Sequence, residues 1–225
     1  ASPPSMRKSV VEKHKIPLPP MEVQQAIVDE VEGYQKIIDG ARQVVENWKP
    51  IIKINNEWDL IKLENIIKLS SGRFLSQKNI VPGKYPIYGG NGIISHHTHY
   101  FVEDSTLVIG RVGAYCGISC MSEPKSWVTD NGLYVKEHSS DINLHYLCII
   151  FQNMNLNQFA KTGGQPSISQ STILKLNIPF PSLEIQEQLV LEIEKEQKTI
   201  DANKKLIEIF EKKIEEKIGE VWGEE

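Results

Sequence analysis

The sequence predicts an α+β protein in which one mixed α/β domain is carried between two long helices. Three observations predict it. The chain repeats itself at an offset of 162 residues, each repeat opens a helix with a 3.5-residue apolar period, and the stretch between reads as short strands broken by turn signals.

The repeat sets the organisation. Ile16-Pro17-Leu18-Pro19-Pro20-Met21-Glu22-Val23-Gln24-Gln25 aligns with Ile178-Pro179-Phe180-Pro181-Ser182-Leu183-Glu184-Ile185-Gln186-Glu187. Val28, Glu30, Glu32, Gln35, Lys36, Ile38, Asp39 and Glu46 recur as Val190, Glu192, Glu194, Gln197, Lys198, Ile200, Asp201 and Glu208. The match also runs backwards, with Pro4-Ser5 on Pro166-Ser167, Ser9 on Ser171 and Lys13 on Lys175. Four segments are therefore expected. Residues 1–15 read as the tail of a preceding copy of the middle domain, 16–50 as a Pro-rich joint and first helix, 51–177 as the middle domain, and 178–225 as a second joint and helix.

Proline disfavours helix at the residue before it, so Ile-Pro-x-Pro leads extended into each helix. In the first helix Ile27, Val31, Tyr34, Ile38, Ala41, Val45 and Trp48 alternate by fours and threes, a coiled-coil seam that Pro50 stops. In the second, Ile193, Ile200, Ile207, Ile214 and Val221 fall seven apart. Leu189 and Phe210 extend that stripe, Leu206 and Ile218 widen it, and Glu196, Asn203 and Lys217 interrupt it. Neither helix buries its stripe alone. They pack on the globular body, or they pair as a spacer, the reading that matched heptads favour.

In the middle domain, strands are expected at 84–88, 107–110, 115–121, 127–129 and 132–135, and helices at 60–67 and 144–159. Turn signals are dense: Pro82-Gly83, Gly89-Gly90-Asn91-Gly92, Asn131-Gly132 and Gly163-Gly164.

Composition narrows the function. No apolar run approaches the ~20 residues of a membrane span. The three cysteines form no C-x-x-C pair, and the Cys116/Cys120 spacing fits no common zinc pattern, so they read as reduced thiols of a cytoplasmic protein. Net charge is −4, yet residues 51–177 carry 11 Lys and Arg against 9 Asp and Glu, while 178–225 carry 7 against 13. A nucleic-acid surface therefore belongs to the middle domain. Pro3-Pro4 and Pro19-Pro20 lack the neighbours of a base-holding methyltransferase loop. There is no phosphate-binding glycine loop, and Glu123-Pro124-Lys125 is the nearest approach to a nuclease centre. No catalysis, cofactor or metal is expected.

Four motifs, in order, carry a resemblance. They are Tyr85-Pro86-Ile87-Tyr88-Gly89-Gly90-Asn91-Gly92-Ile93-Ile94, Leu107-Val108-Ile109-Gly110-Arg111-Val112-Gly113-Ala114-Tyr115-Cys116-Gly117, Trp127-Val128-Thr129-Asp130-Asn131, and Thr162-Gly163-Gly164-Gln165-Pro166-Ser167-Ile168-Ser169 followed by the Ile-Pro-x-Pro joint. The set resembles the target-recognition domains of Type I restriction-modification specificity subunits, over nearly the whole chain. A full specificity subunit has two such domains; this chain has one plus the end of another and resembles the C-terminal half. The resemblance implies helices paired as an antiparallel coiled coil, double-stranded DNA as ligand, and one half of a bipartite site as the sequence read. It also implies methyltransferase (modification) and restriction subunits as partners, and a head-to-tail homodimer of the half-subunit as an assembly.

Loops that could reach DNA are Ser71-Gly72-Arg73-Phe74, 89–99, 110–113 and 161–167. From them come the DNA-binding candidates Arg73, Asn91, His96, His97, Lys161, Gln165 and Ser167, because Arg suits guanine and Asn or Gln suits adenine. Arg111 reads equally as a structural group between glycines. Lys78, Lys84 and Lys125 read equally as solvated charges; Asn131 reads as a turn residue, and Tyr85, Tyr88 and Trp127 as core. Two other readings stay open: the recognition end of a fused restriction-methylation enzyme, which the upstream repeat disfavours, and a coiled-coil protein-interaction module, which salt-sensitive duplex binding would exclude.

Overall fold

The computed structural model describes residues 16–161 and 163–223. The tail reading for 1–15 lies outside them. The chain divides into two compact units, one formed by residues up to Lys49 with those from Glu196 onward, the other by Pro50–Lys195.

In the first unit, helix α1 (Met21–Asn47) begins at Pro20, whose carbonyl accepts from Val23 and Gln24 N–H. It ends where Trp48 turns extended, two residues before Pro50. Its partner is the later part of the last helix, Leu183–Trp222. Along the pair, Trp48 Nε1 donates to Glu196 (2.9 Å), Arg42 pairs with Glu211, Tyr34 meets the Phe210 ring (5.3 Å between centroids), and Lys217 Nζ lies 3.0 Å from Glu30. From Trp48–Glu196 through Tyr34–Phe210 to Glu30–Lys217, numbers fall on one helix as they rise on the other, so the helices run antiparallel here. Ile27, Val31, Tyr34, Ile38, Ala41, Val45 and Trp48 are all at least partly buried, as are Ile200, Ile207, Phe210, Ile214 and Val221 opposite. The most enclosed residue of each helix within this unit, Ile38 and Ile200, are repeat equivalents. Leu206 and Ile218 are exposed and do not widen the stripe. They lie a step outside the 3.5-residue seam, on the side facing water.

In the second unit, strands β1 (Leu60–Lys62), β2 (Ile67–Ser71), β3 (Tyr85–Gly89), β4 (Gly92–His97), β5 (Leu107–Gly110), β6 (Ser119–Met121), β7 (Trp127–Val128) and β8 (Gly132–His138) precede helix α2 (Leu144–Met154). Helix α3 (Gln170–Leu174), strand β9 (Asn177–Pro179) and the start of α4, the helix Leu183–Trp222 named above, follow. An antiparallel sheet runs β2-β8-β5-β6, a second sheet runs β4-β3-β7 with β3 and β7 parallel, and β1 pairs β9.

β5 lies between two apolar layers. Leu107 and Ile109 point into the main core with Leu133, Tyr146, Leu147, Phe151 and Ile150. Val108, on the other face, joins Tyr88, Val102 and Val128. Successive residues of a strand face opposite ways, so an unbroken Leu-Val-Ile run is what a doubly covered strand requires. The three cysteines are free and shielded to different degrees, and burial raises the thiol pKa of each, pushing Cys148 to about 12.

The helix expected at 60–67 is instead β1, one 3-10 turn and β2. Ile61 pairs with Ile178 and Leu69 with Val135, partners no local periodicity can announce. The helix expected at 144–159 stops at Met154, because Asn155 adopts a left-handed conformation (φ 48°) that Asn tolerates and that ends a helix. Ile193, expected in the helix-pair seam, packs with Leu189 against the main core of the second unit. The heptad there continues into a stretch whose neighbour is the domain itself.

Candidate nucleic-acid interface

Five segments meet at one end of the second unit, and main-chain groups join them. Gly72 N–H donates to Gly132 O (2.9 Å), Arg73 N–H to Val128 O (2.9 Å) and Arg111 N–H to Asn131 O (2.9 Å). Gly113 N–H donates to Pro166 O (2.9 Å), and Ile168 N–H to Arg111 O (2.9 Å). The β3–β4 hairpin tip, Gly90-Asn91, closes against them. A Cβ on Gly110 would lie 2.2 Å from Tyr115 O and 2.3 Å from Gly90 O; one on Gly72 would lie 2.0 Å from Thr129 O. Glycine is required at both positions because backbone, which cannot rotate aside, occupies the space.

The side chains this end presents to water are Asn91, Lys161 and Gln165, joined by Asp130, Asn131 and a half-exposed Tyr115. Gln165 lies beside Gly113, whose added Cβ would sit 3.2 Å from Nε2. Lys161 is placed by an antiparallel bridge to Ser167, whose carbonyl accepts Lys161 N–H (2.9 Å). Ser167 itself is half-buried. The array holds amide donors and acceptors, one aromatic face and one ammonium on short loops of fixed backbone, the equipment for reading base edges and holding a phosphate.

Arg73 leaves this end. Its guanidinium lies 4.3 Å over the Phe101 ring, which packs edge-on to Trp127 (5.2 Å) and Tyr134 (5.9 Å). Trp127 Nε1 fixes the backbone by donating to Arg73 O (3.1 Å). The arginine remains exposed, its fork held by stacking. Arg111 is half-buried and donates to Ser71 Oγ (3.3 Å), with the Gln170 amide on the same hydroxyl (3.1 Å). It braces β2 against the loop after β5.

Other candidates lie elsewhere. His96 and His97 pair with Pro86 and Tyr85, at the far end of the hairpin from Asn91, with Lys84 beside them. That is roughly 15 Å along a five-residue strand. His96 is exposed; Lys84 is exposed and stacks over Tyr85 (5.2 Å). Lys78 sits exposed on the short 3-10 turn Gln77–Asn79. His97 is buried, with Nδ1 at 3.1 Å from the Val81 main chain and its ring edge-on to Trp127. It cannot reach DNA without opening the small sheet, so His97 is a packing group. Its place at the end of a strand, inward under the period-2 alternation, is the reason. Tyr115 was missed because it was assigned to a strand; an aromatic two residues from each of two glycines, Gly113 and Gly117, could have marked it as a loop group. Among the described residues no three His, Cys, Asp or Glu side chains gather as a metal set.

Residues 55–212 match the family model of the Type I restriction modification DNA specificity domain. The chain belongs to this family. The specificity subunit of the Type I restriction enzyme EcoprrI from Escherichia coli is 31% identical over 129 residues, 55% of this chain and 32% of that protein. A putative type I specificity subunit of Mycoplasma pneumoniae is 22% identical over 151 residues, 64% of this chain and 49% of that protein. The chain thus spans between a third and a half of the curated relatives it matches. Its fold is shared with a type I restriction-modification S subunit from M. genitalium (TM-score 0.60, 14% identity, 89% of this chain and 59% of that one). It is shared too with a chain from a study of complex assembly and conformational transition in the type I R-M system (TM-score 0.63, 15% identity, 100% of this chain and 65% of that one).

Proposed function

We propose that this chain is the non-catalytic, sequence-reading part of a Type I specificity subunit, and that its second unit reads one half of a bipartite duplex site. The observation that carries the reading is the convergence of Asn91, Asn131, Lys161 and Gln165 on one main-chain-locked end of a domain inside the family match. Asn and Gln amides there contact base edges, Lys161 contacts phosphate, and Arg73, stacked on Phe101, offers a preoriented fork to phosphate or guanine. Lys78, Lys84 and His96 lie outside this array and serve, if at all, as peripheral phosphate contacts. The paired helices separate this half-site from the other. Methyltransferase subunits dock on the helix and domain surfaces, and a restriction subunit completes the nuclease. Two copies of the chain would associate head to tail on a gapped palindrome.

The test is methylome mapping after co-expression with the modification subunit encoded beside it, in a methylation-free host, paired with duplex binding across a salt series. Asn91→Ala and Gln165→Ala should each change the bases read, by about 1–3 kcal/mol of discrimination. Lys161→Ala should weaken all sequences alike and lower the salt slope by about 1. Variants at this end that leave motif and affinity unchanged would overturn the reading.

A further inference from the structure

Phe74 stands where an apolar ring has little reason to be. It is 73% exposed, more than any other aromatic among the described residues, although the rings of Phe101, Trp127 and Tyr134 cluster beside its neighbour. The cover that cluster offers is taken by Arg73, with its guanidinium 4.3 Å over Phe101. Cation inward and ring outward is the reverse of what burial favours. A single exposed apolar side chain is common on any surface and means nothing by itself. Three further observations give this one a meaning.

The main chain leading into Phe74 is fixed. Gly72 N–H donates to Gly132 O and Arg73 N–H to Val128 O (2.9 Å each), and Arg73 O accepts from Trp127 Nε1 (3.1 Å). The ring also lies near the proposed reading surface. Phe74 is two residues from Gly72, a reach of at most about 7 Å, and Gly72 is bonded to the residue after Asn131. The surroundings, finally, are cationic. Residues 65–102 hold no Asp or Glu, and of their Lys and Arg only Lys68 has a carboxylate partner, Glu137. Arg73, Lys78 and Lys84 have none among the described residues; Glu103 and Asp104 line a groove with Arg73 without pairing to it. Unpaired cations around an exposed ring suit a polyanion with flat apolar faces inside it, which duplex DNA is, and do not suit an apolar protein surface.

We propose that Phe74 is a wedge: its ring enters between two adjacent base pairs at the edge of the half-site, while Arg73 holds a phosphate beside the opened step. The inference rests on the DNA-reading function given above. An apolar side chain that enters a step unstacks it, and pyrimidine–purine steps open most readily. Phe74 thus selects sequence through the stiffness of a step, where Asn91 and Gln165 select it through hydrogen bonds.

The test uses the 225-residue chain without methyltransferase subunits, so that no base extrusion by an enzyme enters the signal. The probe is a duplex carrying the target found by methylome mapping, with 2-aminopurine replacing one adenine at a time on either strand. This base brightens when it loses a stacked neighbour. Binding should brighten it about twofold or more at a pyrimidine–purine step. Phe74→Ala should abolish the rise and weaken binding about tenfold with the salt slope unchanged, while Phe74→Leu, which keeps the bulk, should retain both rise and affinity. Arg73→Gln should lower the salt slope by about 1. Duplex binding with no brightening at any pyrimidine–purine step, or brightening that survives Phe74→Ala, would overturn the wedge and leave base reading standing. A Phe74→Ala chain that binds duplex normally but loses its methyltransferase subunit would overturn it in favour of a protein contact. A chain that binds no duplex would overturn the DNA reading and the wedge with it.

Discussion

Replacing Gly110 by alanine puts one methyl group where two main-chain carbonyls already lie, 2.2 Å (Tyr115) and 2.3 Å (Gly90) from the new carbon. Ordinary contact needs at least about 3 Å, so the hairpin tip and the 3-10 turn Gly113–Tyr115 must part by roughly 0.8 Å. Neither obstacle is a side chain that can rotate. Overpacking of this kind costs about 1–3 kcal/mol, or some 2–12 °C in melting temperature for a chain of this length. The displaced elements carry Asn91 and Tyr115, so duplex affinity should fall with stability. The control is Gly40→Ala. Gly40 is in the interior of α1 with nothing within 4 Å of an added Cβ, and there alanine should stabilise by about 0.5–1 kcal/mol. Urea titration followed by tryptophan fluorescence reads both variants, and anisotropy with a labelled duplex reads the site. A Gly110→Ala protein within 0.5 kcal/mol of wild type, binding DNA normally, would refute the backbone-contact argument.

Further expectations concern the frame. Asn143→Ala removes the side-chain acceptor for His145 and Tyr146 N–H at the start of α2 and should cost about 1 kcal/mol by urea denaturation. Ile38→Ala and Ile200→Ala should each cost about 2–4 kcal/mol, and nearly equally, because the two occupy equivalent enclosed positions. Hydrogen bonds from Tyr34 and Lys217 hold the Glu30 carboxyl below its ordinary value of 4.5. A depressed carboxylate stabilises fully above 4.5 and loses the contribution as pH falls through its folded value. The stability gap between wild type and Glu30→Gln should therefore be present at neutral pH and close as the pH falls through the depressed folded value, in acid titrations followed by circular dichroism.

The helices, their seam and β5 were legible because their signals are local: a 3.5-residue period for the seam and an unbroken apolar run for the doubly covered strand. What escaped was non-local. β1 and β9 exist only because Ile61 and Ile178 meet across more than a hundred residues, and Leu60 and Lys62 beside them resemble any helical turn. Among candidate site residues, the exposed loop positions of Asn91, Lys161 and Gln165 were readable from glycine-rich turn signals, while the burial of His97 was not, because a histidine run hides which member points inward. Ile193 shows that a heptad can continue unbroken while the surface it packs on changes.

This end of the second unit is tied together mainly by amide hydrogens and carbonyl oxygens, with side-chain braces from Arg111, Ser71, Gln170 and the Trp127 indole N–H. Every residue type except proline carries the same main-chain groups. Codons for Asn91, Lys161 and Gln165 can therefore drift without unsettling the frame, whereas those for Gly72 and Gly110 cannot. On the proposed reading, selection on such a surface would act on specificity almost independently of folding, and a lineage could exchange one target for another in single mutational steps.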